Sequence, residues 1–248
     1  MRVGVVVPAL DEASRLASGR VLEVLADLDV SLILVDDGST DGTRAVMDNL
    51  ALRSPGRVRV LGLERNLGKA EAVRRGLATA IAAGARAVGY LDADLATPPS
   101  ELLRLLDHLR AQPARRAILG SRVAMLGHDI RRSALRHYSG RVFATAASLA
   151  LGLPVYDTQC GAKVFRVDAT FAEAVARPFS DRWAFDVELL ARLLRGSAGA
   201  PGWPPDAIEE LPLLRWQDSG DSKVRLPQAL RATLSLARVA LRHRRHGA

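Results

Sequence analysis

Three acidic segments in the first hundred residues carry the side chains most suited to chemistry. They are PALDE at residues 8–12, DDGSTDGT at residues 36–43 and DAD at residues 92–94. Carboxylates accept hydrogen bonds from sugar hydroxyls and nucleobases, and they supply the oxygen ligands that Mg²⁺ and Mn²⁺ prefer. We therefore predict that Asp92 and Asp94 hold one of these cations beside a departing diphosphate. The alternative for each segment is that it only caps the helix that follows.

A further candidate phosphate contact is the segment RNLGK at residues 65–69. It can lead into the amino end of a helix, where unpaired N–H groups and the Lys69 ammonium favour an anion. The sequence contains neither G-x-x-x-x-G-K-[ST] nor G-x-G-x-x-G, the glycine-rich patterns of phosphate and dinucleotide binding. This disfavours a kinase or a dinucleotide-dependent oxidoreductase.

The elements that must position these segments alternate along the first half of the chain. Short β-rich runs predict strands, and helical patterns between them predict helices. The predicted strands are residues 3–8, 31–35, 57–61, 86–91 and 116–120, and the predicted helices are residues 12–28, 41–52, 69–83 and 101–110. This alternation is typical of an α/β fold with a mostly parallel sheet. Ligands of such sheets bind at the carboxyl ends of the strands, where the acidic segments lie.

The second half of the chain is less regular. Its predicted elements are a basic helical segment at 130–151, a strand at 162–167, a helix at 185–194, a Gly/Pro-rich loop at 196–205, a strand at 207–214 and a polar loop at 216–223. Residues 1–223 are predicted to form one domain. Residues 224–248 predict a basic amphipathic helix, which can lie on an anionic membrane surface or pack on its own domain or on a second subunit.

The composition bounds the partners and the compartment. The formal charge is +8, from 35 Lys and Arg against 27 Asp and Glu, which favours nucleotides, lipid headgroups, phosphorylated carriers or nucleic acid. Nucleic acid is disfavoured because only 4% of the residues are aromatic and no reader motif is present. The single cysteine, Cys160, excludes an internal disulfide, so we expect a cytoplasmic protein. No apolar run reaches the roughly 20 residues that a membrane helix needs.

The order of the motifs resembles glycosyltransferase family 2. The motifs are PALDE, VDDGSTDGT, RNLGKAEAVRRG, LDADLATPP, GSR, DTQCGAKVF and FDVELL, and the resemblance covers residues 3–223. It is greatest to the dolichyl- or polyprenyl-phosphate sugar synthases. The segments DTQCGAK and WQDSGDSK are similar to the dolichyl-phosphate glucosyltransferases in particular. The resemblance implies an inverting, metal-dependent sugar transfer on a glycosyltransferase A-type fold, with residues 1–223 as the catalytic domain.

The resemblance also implies a donor site. Its nucleotide-binding residues would be Pro8, Ala9, Asp11, Glu12, Asp37, Lys69, Asp92 and Ala93. Asp92 and Asp94 would hold the metal, and Asp94 would act in catalysis. The family usually has Asn at the position of Asp11. Ala96 stands where the mannosyl branch often has a metal-binding Gln, which disfavours a mannosyl donor.

The acceptor is approached through the chemistry of its nucleophile. No clear carboxylate base or Q-x-x-R-W motif follows the DAD segment, and a phosphate acceptor needs none because its second pKa is about 6. Arginine forks suit phosphate, and five follow the DAD strand: Arg122, Arg131, Arg132, Arg136 and Arg141. By resemblance, Arg122 and Arg132 would act in catalysis as ligands of the lipid phosphate, with Arg136 next. The alternative is a solvated basic helix face.

The remaining candidates belong to the sugar pocket. They are Asp157, Gln159, Gly161 and Lys163, which can equally build a turn and a strand. Asp186 and Glu188 are expected to face different sides of their helix. The resulting hypothesis is transfer of a hexose, glucose from UDP-glucose, to a polyprenyl phosphate at the cytoplasmic membrane face. Its rivals are a soluble family 2 enzyme with a small-molecule or saccharide acceptor and, in another class, a nucleic-acid-binding protein.

Overall fold

The seven residues of the first strand are all buried, which is typical of a strand with helices on both faces. A computed structural model describes residues 1–131, 134–182 and 184–218, with the backbone alone for residues 134–139. The strands are β1 (Val3–Ala9), β2 (Val30–Asp36), β3 (Val58–Gly62), β4 (Ala87–Leu91), β5 (Ala117–Ser121), β6 (Asp129–Arg131), β7 (Ala162–Arg166), β8 (Ile208–Pro212) and β9 (Arg215–Gln217). The helices are α1 (Ala13–Leu16), α2 (Thr43–Arg53), α3 (Lys69–Ala82), α4 (Pro99–Ala111), α5 (Ala134–Leu151), α6 (Ala169–Ala176) and α7 (Phe185–Arg195).

Seven of these strands form one sheet in the order β3-β2-β1-β4-β7-β5-β8. The pairs β1–β2, β1–β4, β2–β3 and β5–β8 are parallel. Strand β7 runs antiparallel to both of its neighbours, β4 and β5. The predicted α/β fold with a mostly parallel sheet is therefore confirmed, with one reversed strand inside it. A separate parallel pair joins β6 to β9.

Two hydrophobic cores cover the two faces of the sheet, because successive side chains of a strand point to opposite faces. On one face, Val6 and Tyr90 lie in a core with residues of α3, α6 and α7. On the other, Val5 and Leu34 lie in a core that includes residues of α2 and α4. Both faces thus exclude water, and polar groups concentrate at the strand ends.

Three predicted elements differ from the structure. The helix predicted at 12–28 is only α1, followed by a 3₁₀ segment at Arg20–Ala26, because Gly19 between them adopts a left-handed conformation with φ of 69°. The segment predicted as a helix from residue 130 begins as β6, and α5 starts at Ala134. The start of the predicted polar loop at 216–223 lies in β9, which pairs with β6.

Two further predictions concern membranes and the carboxyl-terminal tail. Within the described residues, none of the helices combines the length and apolar character that crossing a bilayer requires. The boundary predicted at residue 224 and the amphipathic helix predicted at 224–248 lie outside the described residues.

Candidate active site

One edge of the sheet collects the acidic segments. Strands β1, β2 and β4 run in the same direction and end at Ala9, Asp36 and Leu91, so the segments that follow them meet. Because β7 is reversed, its first residue Ala162 pairs with Leu91 at the last position of β4. The DTQCG segment at 157–161 therefore arrives at the same edge, which the alternation of elements alone did not predict.

The first two acidic segments hold each other through hydrogen bonds. The Asp11 carboxylate accepts the Thr40 N–H at 2.8 Å, while the Asp11 N–H donates to the Ser39 hydroxyl at 3.1 Å. Asp11 is exposed and has a φ of 53°, an unusual backbone conformation for an aspartate. Asp41 accepts the N–H of Thr43, the first residue of α2, as the capping alternative expects. Asp41 therefore contacts the start of α2, and the predicted nucleotide contact of Asp11 stays a prediction.

Asp37 joins the second acidic segment to the start of α3. It is 3% exposed, and its two carboxylate oxygens accept the N–H groups of Leu67 at 2.8 Å and Gly68 at 2.9 Å. Burial raises the pKa of Asp37, partly opposed by these two hydrogen bonds. Asp37 therefore fixes the RNLGK segment, and its predicted contact with the nucleotide stays a prediction.

Lys69 lies at the first position of α3 and faces the DAD segment. Its Nζ lies 2.6 Å from Oδ1 of Asp92, and both side chains are partly exposed. Partial removal from water lowers the pKa of Lys69, but the negative charges of Asp92, Asp186 and Asp94 outweigh this effect and raise it above its usual value. The Lys69 ammonium is placed where it could also contact a diphosphate bound to a metal ion that these carboxylates would hold.

The DAD segment forms a turn that carries the carboxylates of Asp92 and Asp94. Asp94 accepts the Ala96 N–H at 3.0 Å, and Leu95 between them has a φ of 51°. Two carboxylates at a strand end fit Mg²⁺ or Mn²⁺, which take one or two protein carboxylates and complete their shell with phosphate oxygens and water. The described residues contain no group of three His, Cys, Asp or Glu placed to hold a metal ion. Phosphate oxygens and water would complete the coordination of such a cation.

Gly161 makes room for Asp92. A Cβ placed on Gly161 would lie 2.3 Å from Oδ2 of Asp92, and the Asp92 N–H donates to the Gly161 carbonyl at 3.1 Å. Any larger residue at position 161 would force the Asp92 side chain to move. The structure thus places Gly161, a predicted sugar-pocket residue, directly beside the predicted metal ligand.

Lys163 is buried beneath the site. It is 1% exposed, and its Nζ donates to the Cys160 carbonyl at 2.5 Å and to Asp186 on α7 at 2.7 Å. Asp186 also accepts a hydrogen bond from the Tyr90 hydroxyl, a contact that the sequence analysis missed. Glu188 instead accepts from Arg192 at 2.7 Å and Ser180 at 2.8 Å, so the two carboxylates of α7 face different sides as expected.

Arg122 follows β5 and is paired with Asp157. Its Nε lies 2.6 Å and its Nη2 2.8 Å from the two carboxylate oxygens, a bidentate pair. Both side chains are mostly buried, and the guanidinium lies over the Trp216 ring at 5.5 Å. Burial raises the pKa of Asp157, but Arg122 outweighs it and holds that pKa below its usual range. The predicted acceptor residue and a predicted sugar residue therefore form one unit.

The other predicted residues divide into described and undescribed groups. The N–H of Gln159 donates to Asp157 at 3.2 Å. Arg141 lies over the Tyr156 ring at 3.6 Å, and Arg131 pairs with Asp129 on the surface. Arg132 and the side chain of Arg136 lie outside the described residues. Pro8, Ala9 and Ala93 are buried, and Glu12 is half-buried beside the Thr43 hydroxyl, which accepts its N–H at 2.8 Å.

Two further residues, which the sequence did not predict, touch this region. Arg182 lays its side chain against Gly68, with its Cδ 3.0 Å from where a Cβ on that glycine would stand. Glu210 on β8 accepts backbone N–H groups of Tyr156 and Asp157. Arg182 precedes α7 in a connecting segment and Glu210 is a charged residue within a strand, and neither position signals its role in the sequence.

A mostly parallel sheet with carboxylates and a lysine at its carboxyl edge is typical of α/β proteins that bind ligands at the ends of their strands. The family model for Glycosyl transferase family 2 matches residues 4–171. The chain belongs to this family of glycosyltransferases. The predicted fold and enzyme class are thereby confirmed.

Curated relatives lie in the predicted branch. A dolichyl-phosphate beta-glucosyltransferase of Trichomonas vaginalis is 27% identical over 95% of this chain and 67% of its own length. The human dolichyl-phosphate beta-glucosyltransferase is 33% identical over 76% of this chain and 62% of its length. A polyprenol monophosphomannose synthase of Mycolicibacterium smegmatis is 29% identical over 78% of this chain and 72% of its length. The chain therefore spans roughly two thirds of these relatives.

The fold is also found in a solved structure. Glucosyl-3-phosphoglycerate synthase of Mycobacterium tuberculosis, in complex with Mn²⁺, UDP and glucosyl-3-phosphoglycerate, superposes with a TM-score of 0.68. The likeness covers 98% of this chain and 79% of the other at 22% identity. It supports the glycosyltransferase A-type architecture.

Proposed function

We propose that this chain transfers glucose from UDP-glucose to the phosphate of a polyprenyl or dolichyl phosphate, with inversion at the anomeric carbon. The proposal is supported by family membership and by relatives named for dolichyl-phosphate glucosylation. A lipid acceptor would place the reaction at a membrane surface.

The donor half of the reaction uses the acidic edge of the sheet. Asp92 and Asp94 would hold the divalent ion, which neutralises the charge that develops on the leaving diphosphate. Lys69, 2.6 Å from Asp92, adds a second positive charge beside the same phosphates. Asp11, Glu12 and Asp37 lie next to this cluster, where their polar groups and the buried Pro8 and Ala9 would enclose the base and ribose.

Arg122 is the proposed ligand of the acceptor phosphate, and the observation that carries the proposal is the state of its guanidinium. A guanidinium has five N–H donors, and the Asp157 carboxylate accepts the Nε N–H and one Nη2 N–H of Arg122. The Nη1 edge makes no hydrogen bond within the described part of the chain. Arg122 is close enough to the DAD segment for the charge of Asp92 to act on it. A phosphate bound at this edge would stand beside the donor.

A phosphate nucleophile explains why no base is needed. At neutral pH its attacking oxygen is largely anionic, so no side chain has to remove a proton before it attacks the anomeric carbon. The site must instead hold two anions together, and Lys69 and Arg122 would each bind one. The sugar would lie between them, near Gly161 and Gln159.

A donor panel tests the proposal. Radiolabelled UDP- and GDP-sugars are incubated with Mg²⁺ or Mn²⁺ and a short polyprenyl phosphate, and label is counted in the organic phase. We expect label from UDP-glucose. Label that appears only in a water-soluble phosphorylated product would instead favour a soluble acceptor.

A further inference from the structure

Glu210 on β8 braces the turn that carries Asp157. We call residues 156–159 the Asp157 turn. The two carboxylate oxygens of Glu210 accept the N–H of Tyr156 at 2.5 Å and the N–H of Asp157 at 2.7 Å. Burial raises the pKa of Glu210, and the two N–H groups act against this rise. The half-buried Glu210 carboxylate thus has both of its oxygens bonded to the backbone of the turn.

The opposite side of the turn holds Arg122. Asp157 accepts the backbone N–H of Arg122 at 3.1 Å in addition to the two guanidinium contacts. Arg141 donates to the Tyr156 carbonyl at 3.0 Å, which fixes the same peptide from another direction. The Asp157 turn therefore holds the Arg122 guanidinium in the orientation that the structure shows.

Strand β8 contacts both the Asp157 turn and the end of β5 that precedes Arg122. Glu210 is the register partner of Leu119 on β5, and β5 ends two residues later, immediately before Arg122. The neighbouring Leu213 N–H donates to the Ser121 carbonyl at 2.9 Å. The turn and the arginine are thus located by one strand, although they are 35 residues apart in sequence.

We propose that Glu210 is a positioning residue for the acceptor phosphate, acting through Asp157 to aim the Nη1 edge of Arg122. This inference rests on the proposed acceptor role of Arg122. In this inference Asp157 orients Arg122, a role different from the predicted sugar contact. Glu210 itself touches no substrate.

The test is the substitution Glu210→Gln, which keeps the size of the side chain but offers one acceptor where two N–H groups need two. We expect binding of a short polyprenyl phosphate, measured by calorimetry, to weaken about tenfold, as for the loss of one charged hydrogen bond. In turnover, the KM for the lipid phosphate should rise by a similar factor. The KM for UDP-glucose and the affinity for UDP with Mn²⁺ should stay within about twofold, since the donor contacts are untouched.

The matched control is Glu209→Gln on the same strand. The Glu209 carboxylate faces Arg115 at 2.8 Å and His108 at 3.0 Å, away from the turn, so the lipid-phosphate affinity should not change. Asp157→Asn gives the same readout if Glu210→Gln does not fold. The double variant should weaken binding by less than the product of the two single effects, because both act on one unit.

The outcomes separate this inference from the proposed function. A wild-type chain that binds UDP but no polyprenyl phosphate would contradict the proposed function. If the wild type binds the lipid phosphate and Glu210→Gln binds it equally tightly, only the role of Glu210 is overturned. Equal losses for donor and acceptor would also overturn it, since they indicate general loss of structure.

Discussion

Asp92 is constrained from two directions at the residue scale. Lys69 pairs with its carboxylate at 2.6 Å, and Gly161 lies so close that a Cβ could not be added without displacing it. If Asp92 holds the metal as proposed, its carboxylate must be placed within about half an ångström, because the reacting groups must be aligned. The sequence predicted the carboxylate but gave no reason for the glycine.

Gly161→Ala tests this constraint. The added methyl group would push the Asp92 carboxylate aside, and we expect kcat/KM to fall about a hundredfold, as for a misplacement of roughly 1 Å. Gly42→Ala is the control, since the nearest atom to its new Cβ is 3.8 Å away and its φ is −77°. Unchanged kinetics for Gly161→Ala would show that Asp92 does not need its present position.

Asp94→Asn tests the proposed metal site. An amide binds a divalent cation more weakly than a carboxylate, so turnover should drop about a hundredfold and UDP binding should lose its dependence on Mn²⁺. Asp48→Asn removes a charge from an exposed pair on α2 and should leave both properties unchanged. Intact turnover and intact metal-dependent binding in Asp94→Asn would refute the assignment of the metal to this segment.

The reversed strand β7 matters most at the element scale. The segment 162–167 was predicted as a strand from its residues, but its direction depends on which neighbours it pairs with, and local sequence does not encode that. Reversal brings Gly161 beside Asp92 and buries Lys163 against Asp186. The helix predicted at 12–28 failed for a related reason, since tertiary contacts and Gly19 decide where a short helix ends.

The Lys163–Asp186 pair links β7 to α7. Lys163→Met leaves Asp186 buried without its cation, and we expect the free energy of unfolding to fall by about 3–5 kcal/mol. The double variant Lys163→Met/Asp186→Leu should recover much of that loss, because it removes both charges. Arg44→Met breaks the exposed pair with Asp48 and should cost less than about 1 kcal/mol in the same denaturant titration. A loss no larger in Lys163→Met than in Arg44→Met would contradict the buried pair's importance.

Helix α3 carries an acid-sensitive group of charges. Arg74 and Arg75 hold the pKa of Glu71 down to about 2 from 4.5. A depressed pKa stabilises the fold above the unfolded value, so this contribution should be lost as the pH falls from about 4.5 to about 2. Glu71→Gln should lower stability by about 2 kcal/mol at pH 7 and flatten the acid limb of a stability–pH curve.

The control for that curve is Glu23→Gln. Glu23 pairs with Arg20 at 3.5 Å, and both side chains are more than half exposed, so the curve should match the wild type. An acid limb that keeps its slope in Glu71→Gln would show that other groups control it.

At the scale of the whole molecule, the sequence predicted the fold class and the family because ordered motifs and strand–helix alternation are local patterns. It also predicted which carboxylates gather at one edge, since parallel strands bring their ends together. It could not predict that Asp37 binds the start of α3 or that Asp157 binds Arg122. Such pairs join residues about 30 positions apart, and only the folded sheet brings them within reach.

In the proposed reaction, a phosphate oxygen of the acceptor attacks the anomeric carbon of the donor. This step is tested most directly by ³¹P nuclear magnetic resonance of a mixture of the enzyme, UDP-glucose, Mg²⁺ and a short polyprenyl phosphate. We predict that the acceptor's phosphomonoester signal is replaced by a phosphodiester signal at the same rate as UDP forms. Formation of UDP and glucose while the phosphomonoester signal persists would contradict the account.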